Sequence, residues 1–471
     1  MVASEATPFA KTGGLADVVG ALSPTLSARG AEVRVAMPRY RNIDVRGMPL
    51  VYQDLRVWLG LDLHTVNVYQ AADRGVVYYL VDCPPLYDRE GIYGDAAGDY
   101  PDNHIRFAVF SYAAVTLARH VFRPSVIHCH DWQAALVPIY LHTLFVNDPT
   151  YLGIPVLLTI HNLGYQGLFP KETLPEMGLD HGLNLFRPDC LEYFGKVGLL
   201  KGGILMSDAV STVSPAYARE IQTPKLGFGL DGVLRSRGDA VSGILNGVDY
   251  SEWDPATDPK IPAQYSVENL AGKRVSKAAL LAELGLPGDL ERPVIGMVSR
   301  LAGQKGFDLI EAAAAGLMKE DLTLAVLGCG DPKYQAFLKA LKAEHPDKVG
   351  LRIAYDDVLA HKIEGGADIF LMPSLYEPCG LNQIYSLRYG TVPVVRATGG
   401  LDDTIDGSTG FKFREYTAEA LLAAIRTALA AYRDRDRWTE MMRAGMRKDY
   451  SWTASAAKYA ALYQRLSDRG G

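Results

Sequence analysis

The chain has 471 residues, more than a single hydrophobic core usually holds, so we expect two domains. Its 48% hydrophobic and 22% charged residues are typical of a globular protein in water. The net charge of -6 excludes a nucleic-acid binder that relies on a basic field, and no apolar stretch approaches the roughly 20 residues that span a bilayer.

The cysteines and the first residues bear on location. Five scattered cysteines form no C-x-x-C pair: Cys83, Cys129, Cys190, Cys329 and Cys379. An odd, unpatterned set is typical of a reducing compartment. The first residues lack the basic region and apolar core of a signal peptide. We expect a cytoplasmic protein.

The first half of the chain, residues 1–240, alternates short apolar runs with helical patterns. The predicted strands are Val76–Val81, Val126–His130, Pro155–Ile160 and Ala209–Val213, and two predicted helices are Ile105–Ala118 and Gln133–Phe145. A first strand must also precede Lys11, but only Met1–Ser4 is available for it. The pattern therefore indicates a short first strand at a truncated or misassigned start.

The second half, residues 241–450, is more regular. A stretch rich in proline and aspartate, Trp253–Pro262, places the domain boundary near residue 240. The predicted strands are Val294–Val298, Leu322–Leu327, Gly350–Ala354, Ile369–Met372 and Val392–Val395, separated by helices at Asp308–Met318, Tyr334–Glu344, Leu359–Glu364 and Leu381–Tyr389. Continuous apolar strands between helices predict a parallel sheet covered on both faces. We expect an α/β protein with two Rossmann-like domains.

The tail, residues 451–471, contains a predicted helix. Its apolar residues Tyr459, Leu462, Tyr463 and Leu466 share one helix face. This face must be covered, and a return to the first domain is one way to cover it.

Glu377 lies in the loop Tyr376–Leu381, after a buried strand and before a helix. Loops at the carboxyl ends of parallel strands bind ligands, and a helix start attracts anions. Phosphate would repel the glutamate, so we expect Glu377 to face a neutral, hydroxyl-rich group. A glutamate for sugar hydroxyls next to a helix start for phosphate indicates that the ligand is a sugar nucleotide. Taken alone, the loop is more typical of an ordinary surface loop with an exposed glutamate.

Two further loops carry cations beside glycines. Arg300 and Lys305 flank Gly303 after the strand Val294–Val298, and they suit a diphosphate because arginine chelates phosphate oxygens and lysine adds a compact charge. Lys11 precedes Gly13 and Gly14, where the backbone can approach a ligand closely. Solvated cations at turns are the alternative interpretation of both loops.

Histidines and aromatic residues supply the other candidates. His161 and Asn162 end a strand in the first domain. His128 and His130 share one strand face, a pattern that can bind metal, but no further ligands are evident. Trp132 is either a platform for a sugar ring or a buried core residue. Tyr355 ends another strand, where its ring could stack on a nucleobase.

Taken together, the motifs resemble bacterial glycogen synthase and its relative, plant starch synthase. The resemblance covers essentially the whole chain. It rests on Lys11–Val18, His128–Trp132, His161–Gly167, Gly227–Gly232, Asn246–Asp249, Arg300–Gly306 and Glu377–Leu381. It implies the glycosyltransferase-B fold, with two Rossmann-like doubly wound domains that face a central cleft. It also implies transfer of glucose from ADP-glucose to the non-reducing end of an α-1,4-glucan with retention of configuration, with no metal or other cofactor.

The resemblance also implies roles for the matched residues. The implied catalytic residues are Glu377, His161, Lys305 and Arg300. Donor binding would involve Lys11, Gly13, Gly14, Asn246, Arg300, Lys305, Tyr355, Cys379, Gly380 and Leu381. Asp17, Asp131 and Trp132 would lie towards the acceptor. The chain departs from the pattern of the wider group of retaining glycosyltransferases at Tyr385, a position where many members of that group carry a second glutamate.

Several alternatives stay open at this point. The first is an enzyme of the same fold that uses UDP-glucose, a donor that carries uracil in place of adenine. A glucan-binding scaffold would not need the set Lys11, Arg300, Lys305 and Glu377. A metal hydrolase would use His128, His130 and His161. A dehydrogenase is disfavoured because no strand is followed by G-x-G-x-x-G.

Overall fold

The structure, a computed structural model, describes residues 1–179 and 181–470. These residues form two compact units. Unit 1 comprises Met1–Val213, Ala218–Gly247 and Trp452–Gly471, and unit 2 comprises Ser214–Tyr217 and Val248–Ser451. The change of unit after Gly247 lies slightly beyond the predicted boundary at residue 240. In the described part of the chain, no helix is both long enough and apolar enough to cross a bilayer.

Unit 1 is built on a central sheet with a small antiparallel sheet beside it. Its strands are β1 (Arg34–Pro38), β2 (Leu50–Leu59), β3 (Asp62–Asp73), β4 (Val76–Asp82), β5 (Gly94–Asp95), β6 (Gly98–Asp99), β7 (Ile127–His130), β8 (Val156–Ile160), β9 (Leu168–Pro170), β10 (Glu192–Tyr193), β11 (Lys196–Gly198), β12 (Ala209–Thr212) and β13 (Val241–Gly243). The helices up to residue 240 are α1 (Gly14–Ala28), α2 (Pro84–Tyr87), α3 (Asn103–His120), α4 (Leu136–His142), α5 (Leu199–Met206), α6 (Pro215–Glu220) and α7 (Asp231–Ser236).

The predicted first strand is present as a short extended segment that joins two parts of the sheet. Val2 forms parallel bridges to Ala36 in β1 and to Cys129 in β7. The parallel strands therefore lie in the order β4, β1, Met1–Ala3, β7, β8, β12 and β13. The direction in which the chain adds strands reverses between Met1–Ala3 and β7. Such a switch point leaves a crevice at the carboxyl ends of the two strands.

Unit 2 contains a six-stranded parallel sheet in the order β16-β15-β14-β17-β18-β19. Its strands are β14 (Val294–Val298), β15 (Thr323–Gly328), β16 (Val349–Ile353), β17 (Ile369–Met372), β18 (Val392–Arg396) and β19 (Phe411–Phe413). Its helices are α8 (Ala271–Glu283), α9 (Phe307–Leu317), α10 (Pro332–Glu344), α11 (Asp357–Gly366), α12 (Asn382–Arg388), α13 (Gly399–Thr404), α14 (Ala418–Arg433) and α15 (Arg435–Met446). The five predicted strands are confirmed, and β19 is an additional short one.

Strand β17 shows why this sheet is buried on both faces. Ile369 and Leu371 belong to one hydrophobic core, and Phe370 and Met372 belong to another. Successive side chains of a strand point to opposite faces, so a continuous apolar run requires cover on both sides. The strand order is that of a Rossmann fold, and its switch point lies between β14 and β17.

The tail forms helix α16 (Trp452–Gly470), which belongs to unit 1. Tyr459, Leu462 and Leu466 are buried on the predicted apolar face. The Tyr463 hydroxyl lies 2.7 Å from Nδ1 of His128 in β7, and the Ser455 hydroxyl donates to the carbonyl of Leu245. The chain thus returns to unit 1 for its last helix.

Candidate functional site

The switch point of unit 2 brings two of the predicted loops together. Because β14 and β17 are neighbours in the sheet, the loops that follow them leave the same edge side by side. The Leu375 N–H donates to the carbonyl of Gln304 at 2.8 Å. Gly306 has φ +80°, and a Cβ there would lie 2.3 Å from the carbonyl oxygen of Pro373. Only glycine allows this close approach of the two backbones.

Lys305 and Glu377 form an ion pair between these loops. Lys305 Nζ donates to Glu377 Oε2 at 2.6 Å, and the Ser374 hydroxyl donates to the same oxygen at 3.0 Å. The Glu377 side chain is 7% exposed and the Lys305 side chain 23%. A buried carboxylate is costly unless a cation and hydrogen bonds compensate it. The lysine therefore fixes the direction of the glutamate side chain.

Arg300 adds a second cation at this edge of the sheet. Its guanidinium is exposed, and Nη2 donates to Gln304 Oε1 at 3.2 Å. The Gln304 amide in turn donates to the carbonyl of Tyr376 at 3.4 Å. Gln304 thus links the arginine to the residue before Glu377. Two cations beside one strand end can hold a group with two or more negative charges.

The loop around Glu377 depends on tight backbone contacts. Gly399 has φ +46°, and a Cβ there would lie 1.9 Å from the Glu377 carbonyl oxygen. Gly380 has φ +69°, and its Cβ would lie 2.5 Å from Gln383 Oε1. The Arg396 guanidinium donates to the carbonyls of Ser374, at 3.3 Å, and Leu375, at 2.5 Å. The hydrogen bonds of Arg396 and the close backbone contact at Gly399 therefore hold the glutamate loop in place.

The backbone of Cys379, Gly380 and Leu381 leads directly into helix α12. Cys379 is buried, and its carbonyl accepts a hydrogen bond from the Gln383 amide at 3.1 Å. Tyr385 in the same helix stacks on Trp253, with ring centroids 4.0 Å apart. The position that carries a second glutamate in many wider relatives thus belongs to an aromatic stack here.

Tyr355 lies in the turn after β16, and its side chain is free for stacking. The residue is 84% exposed. The neighbouring Asp356 caps helix α11 by accepting the N–H of Leu359 at 3.0 Å. A fixed turn with an exposed aromatic ring offers a flat apolar face at the same sheet edge as Lys305.

In unit 1, strands β7 and β8 bring three predicted residues into contact. His130 Nδ1 lies 3.0 Å from His161 Nε2. The Asp131 carboxylate accepts the backbone N–H of His161 at 2.7 Å and also that of Asn162. Asp131 has φ +56°, a conformation that non-glycine residues seldom adopt. The carboxylate of Asp131 therefore holds the loop of His161, and its predicted contact with an acceptor stays a prediction.

Burial sets the protonation states of this cluster. It raises the pKa of Asp131 to about 7 and lowers the pKa of His161 to about 3. The pKa of His130 is also lowered well below its usual value by burial. Both histidines are therefore neutral at pH 7. Each neutral ring has one nitrogen that donates and one that accepts.

The geometry also indicates which nitrogens carry protons. His130 Nε2 is buried and has no hydrogen-bond partner among the described residues. An orphaned buried N–H is costlier than an orphaned acceptor nitrogen, so we place the proton of His130 on Nδ1. It then donates to His161 Nε2, and the proton of His161 is on Nδ1. His161 can present that N–H to a ligand oxygen.

The first loop of unit 1 is organised by Glu5, a residue that the motifs did not single out. Its carboxylate accepts the Thr12 hydroxyl at 2.8 Å, the Gly13 N–H at 3.3 Å and the Thr12 N–H. Lys11 Nζ lies 2.7 Å from Asp17 Oδ1, and both side chains are partly exposed. A Cβ added to Gly13 or Gly14 would meet nothing within 4 Å. The space above these glycines is therefore open to a ligand.

The structure bears differently on the predicted ligand contacts of Trp132 and Asn246. Trp132 is 8% exposed and packs between Phe107 and Phe169, so the ring belongs to the core and leaves little surface for a sugar. Asn246 belongs to unit 1 and not to the predicted second domain. Its buried Oδ1 accepts no hydrogen bond from the described residues, and a ligand hydroxyl would satisfy it. Both ligand contacts stay predictions.

The histidines of β7 are not arranged as a metal site. His128 Nε2 lies 2.6 Å from Thr159 Oγ1 and Nδ1 lies 2.7 Å from the Tyr463 hydroxyl, so both nitrogens are used. In the described ranges, one other cluster has suitable spacing: Glu252, Asp357 and His361. Lys260 Nζ lies 2.6 Å from Asp357 and 3.1 Å from His361 Nε2. An ammonium group thus already neutralises that cluster.

Known protein families match both halves of the chain. The family described as "Starch synthase catalytic domain" matches residues 1–236, and "Glycosyl transferases group 1" matches residues 286–444. The chain is 49% identical to a glycogen synthase of Koribacter versatilis, with 98% of this chain and 97% of that protein covered. The chain belongs to the glycogen and starch synthase family. A glycogen synthase of Anaeromyxobacter dehalogenans is also 49% identical, with 99% of each chain covered.

Solved structures agree with the family. The catalytic domain of Starch Synthase IV from Arabidopsis thaliana, bound to ADP and acarbose, matches with a TM-score of 0.89 and 33% identity over 99% of this chain and 98% of that one. Sucrose-phosphate synthase from Thermosynechococcus elongatus, at 20% identity and a TM-score of 0.63, shows the fold alone. The resemblance drawn from the motifs, the glycosyltransferase-B fold and the glycosyltransferase class are confirmed.

Sequence reasoning missed several residues that shape the site. Ser374, Arg396 and Glu5 hold loops that carry predicted residues. His130 was considered as a metal ligand only, and its contact with His161 was missed. Arg396 could have been noticed, because an arginine at the end of a buried strand needs partners. Ser374 and Glu5 lie within 8 residues of the groups that they bind, but no motif singles them out. The partner of His130 is 31 residues away, after the neighbouring strand.

Proposed function

We propose that this protein transfers glucose from ADP-glucose to the non-reducing end of an α-1,4-glucan with retention of configuration. The observation that carries the proposal is the Lys305–Glu377 ion pair at the switch point of unit 2, with Arg300 beside it. Relatives at 49% identity are named glycogen synthase, and the matching Arabidopsis structure is bound to ADP and acarbose. A glucan-binding scaffold would have no use for the two cations.

In the proposed reaction, unit 2 binds the donor. Arg300 and Lys305 neutralise the diphosphate, the backbone of Cys379, Gly380 and Leu381 contacts sugar and phosphate, and Tyr355 stacks on adenine. An acceptor hydroxyl oxygen bonds to C1 of glucose while the C1–O bond to the diphosphate breaks. ADP leaves with the bonding electrons, and the hydroxyl proton passes to the departing phosphate oxygen. Stabilising the leaving charge by one preorganised donor is worth roughly 2.7–4 kcal/mol in comparable sites.

We propose that Glu377 orients the glucosyl hydroxyls and stabilises positive charge at C1. One of its oxygens is held by Lys305 and Ser374, which favours a fixed carboxylate over a nucleophile that must move. Mass spectrometry of enzyme quenched during turnover tests this assignment. A glycosyl ester on Glu377 would contradict it.

Unit 1 supplies the remaining proposed contacts. We propose that the neutral His161 donates its Nδ1–H to the glucosyl unit and that the buried Asn246 Oδ1 accepts a sugar hydroxyl. Lys11, Gly13 and Gly14 are proposed to approach the donor, because the space above the glycines is open. Asp17, Asp131 and Trp132 are proposed to lie towards the acceptor.

We also propose that the reaction needs no metal or cofactor and takes place in the cytosol. The cations Arg300 and Lys305 suit the charge neutralisation that a metal supplies in other transferases. The five cysteines, all in described parts of the chain, form no disulfide, as in most proteins of a reducing compartment.

The decisive experiment is glucose transfer to short maltooligosaccharides in EDTA, with ADP-glucose and UDP-glucose compared. The proposal expects strong transfer from ADP-glucose without metal. Preference for UDP-glucose would keep the chemistry and change the donor. No transfer from either donor, in a folded protein that binds glucan, would favour the scaffold.

A further inference from the structure

Two phenylalanines in unit 1 occupy turns that favour other residues. Phe194 has φ +47° and Phe228 has φ +46°, and a glycine with φ +80° follows each of them. Positive φ at two successive residues is the pattern of a type I′ turn, where asparagine before glycine is preferred and a bulky side chain is strained. Four other non-glycine residues of the described chain have positive φ: Asp54, Arg74, Asp131 and Asn184. Aspartate and asparagine tolerate this conformation best, so the two phenylalanines and Arg74 are the exceptions.

Arg74 shows what a residue can gain at such a position. It forms the turn of the β3–β4 hairpin with Gly75, again with positive φ at both residues, and it donates to the carbonyl of Gly20 at 2.7 Å. Phe194 has the corresponding position in the β10–β11 hairpin. Its ring meets that of Tyr193 at 89°, and the residue is 80% exposed. A ring that stays in water contributes little to the free energy of folding, so burial does not offset the strain at Phe194.

The two strained turns lie against each other. A Cβ added to Gly229, which follows Phe228, would lie 3.1 Å from Cε2 of Phe194. The Tyr193 hydroxyl donates to the carbonyl of Phe228, and the Gln166 amide donates to the same oxygen at 3.0 Å. One carbonyl oxygen therefore joins the hairpin of Phe194, the turn of Phe228 and the loop of Gln166.

The two turns are thus bonded to the loop that carries His161. Gln166 belongs to this loop, which follows β8 and begins with His161. The adjacent Tyr165 is 55% exposed, and Phe228 is 37% exposed. Three exposed aromatic residues therefore lie on the His161 loop and on the two turns beside it. We name Tyr165, Phe194 and Phe228 the aromatic patch.

We propose that the aromatic patch binds glucose rings of the α-1,4-glucan acceptor behind its non-reducing end. This rests on the proposed function, in which His161 contacts the glucosyl unit that is transferred. Each pyranose ring has faces of C–H groups that pack on flat aromatic rings while its hydroxyls stay in water. Separate aromatic rings suit a chain of such units, whereas a protein partner needs a wider, continuous interface. The strained turns then hold rings in water because a ligand covers them.

The substitution Phe194→Asn tests the patch by two measurements. Asparagine before glycine relieves the turn, so the melting temperature should rise by about 1–2 °C. The affinity for glycogen, measured by retardation in native gels that contain glycogen, should fall about tenfold because a stacking ring is lost. Phe194→Trp should keep the parent affinity. Arg74→Asn is the matched control, since it changes the same turn position in another hairpin and should leave glycogen binding unchanged.

The gel measurement uses no donor, so it is independent of glucose transfer. A protein that transfers no glucose, yet binds glycogen less tightly after Phe194→Asn, would contradict the proposed function and support the patch. In an active protein, the variant should raise KM for glycogen more than it lowers kcat. Parent-like affinity of Phe194→Asn for glycogen would overturn the proposal, as would a parent protein that glycogen does not retard. Weaker binding together with a lower melting temperature would assign the ring to the fold and also overturn it.

Discussion

Lys305 Nζ and Glu377 Oε2 lie 2.6 Å apart, although 72 residues separate them in the sequence. The contact exists because the two residues follow β14 and β17, which flank the switch point of the unit 2 sheet. One ammonium group thus serves two purposes, since it fixes the glutamate and contributes positive charge to the proposed diphosphate site.

Replacement of Lys305 should lower kcat far more than replacement of a lysine in a similar ion pair elsewhere. We expect Lys305→Ala to lower kcat about 100-fold or more, because it removes a preorganised charge and leaves Glu377 without its cation. Lys362→Ala is the matched control: Lys362 also lies 2.6 Å from a glutamate, Glu283, and its side chain is 24% exposed. Similar kcat values for both variants would remove Lys305 from the diphosphate site.

His130 should act as a positioning residue for His161. We expect His130→Ala to lower kcat about tenfold with a smaller change in KM, because His161 loses the hydrogen bond that fixes its ring. His130→Asn, whose amide can still donate, should recover part of the loss. If alanine and asparagine reduce kcat equally while both variants melt like the parent, the positioning role is wrong.

Asp131 gives a pH dependence with a defined sign. Burial raises the pKa of its carboxyl to about 7 in the folded protein, from an ordinary value of 3.8. The folded state then holds the proton to higher pH than the unfolded state, so this contribution to the free energy of unfolding is complete below pH 3.8 and is lost as the pH rises through 7.

Asp131→Asn should therefore behave like the parent near pH 4 and be more stable at pH 8, by on the order of 1–3 kcal/mol. Asparagine keeps the oxygen that accepts the His161 N–H and cannot ionise. Urea unfolding at both pH values measures the difference, with the exposed Asp239→Asn as control. A stability difference that does not change with pH would contradict the prediction.

Tyr355 should contribute to donor affinity. Stacking on a base is worth about 1–3 kcal/mol, so Tyr355→Ala should raise KM for ADP-glucose about tenfold and leave kcat nearly unchanged. Tyr355→Trp should retain the parent KM. The ring is 84% exposed, so neither variant should alter the melting temperature. A parent-like KM in the alanine variant would show that adenine lies elsewhere.

Gly399 should be intolerant of a side chain. At φ +46°, with a Cβ 1.9 Å from the Glu377 carbonyl oxygen, Gly399→Ala must displace the glutamate loop. We expect a loss of about 1–3 kcal/mol in the free energy of unfolding and a lower kcat. Gly407→Ala is the control, because a Cβ there meets nothing within 4 Å. Equal stability of the two variants would show that the loop can move aside at little cost.

Much of unit 2 could be predicted from its sequence, and unit 1 less so. Buried parallel strands such as β14 and β17 are apolar throughout, which makes them visible as short runs. The hairpin β2–β3 was missed because its strands mix exposed and buried residues. Strand β1, with an arginine and a proline in five residues, does not read as an apolar run.

The sequence by itself determined the chemical types at the site: cations beside glycines, a glutamate before a helix and a histidine at a strand end. Their motifs are local, so a linear pattern contains them. Only the tertiary structure decided that Lys305 binds Glu377, that His130 supports His161 and that Trp132 is part of the core. These contacts join residues that lie far apart in the sequence, and the packing of the strands and helices that carry them determines which of them meet.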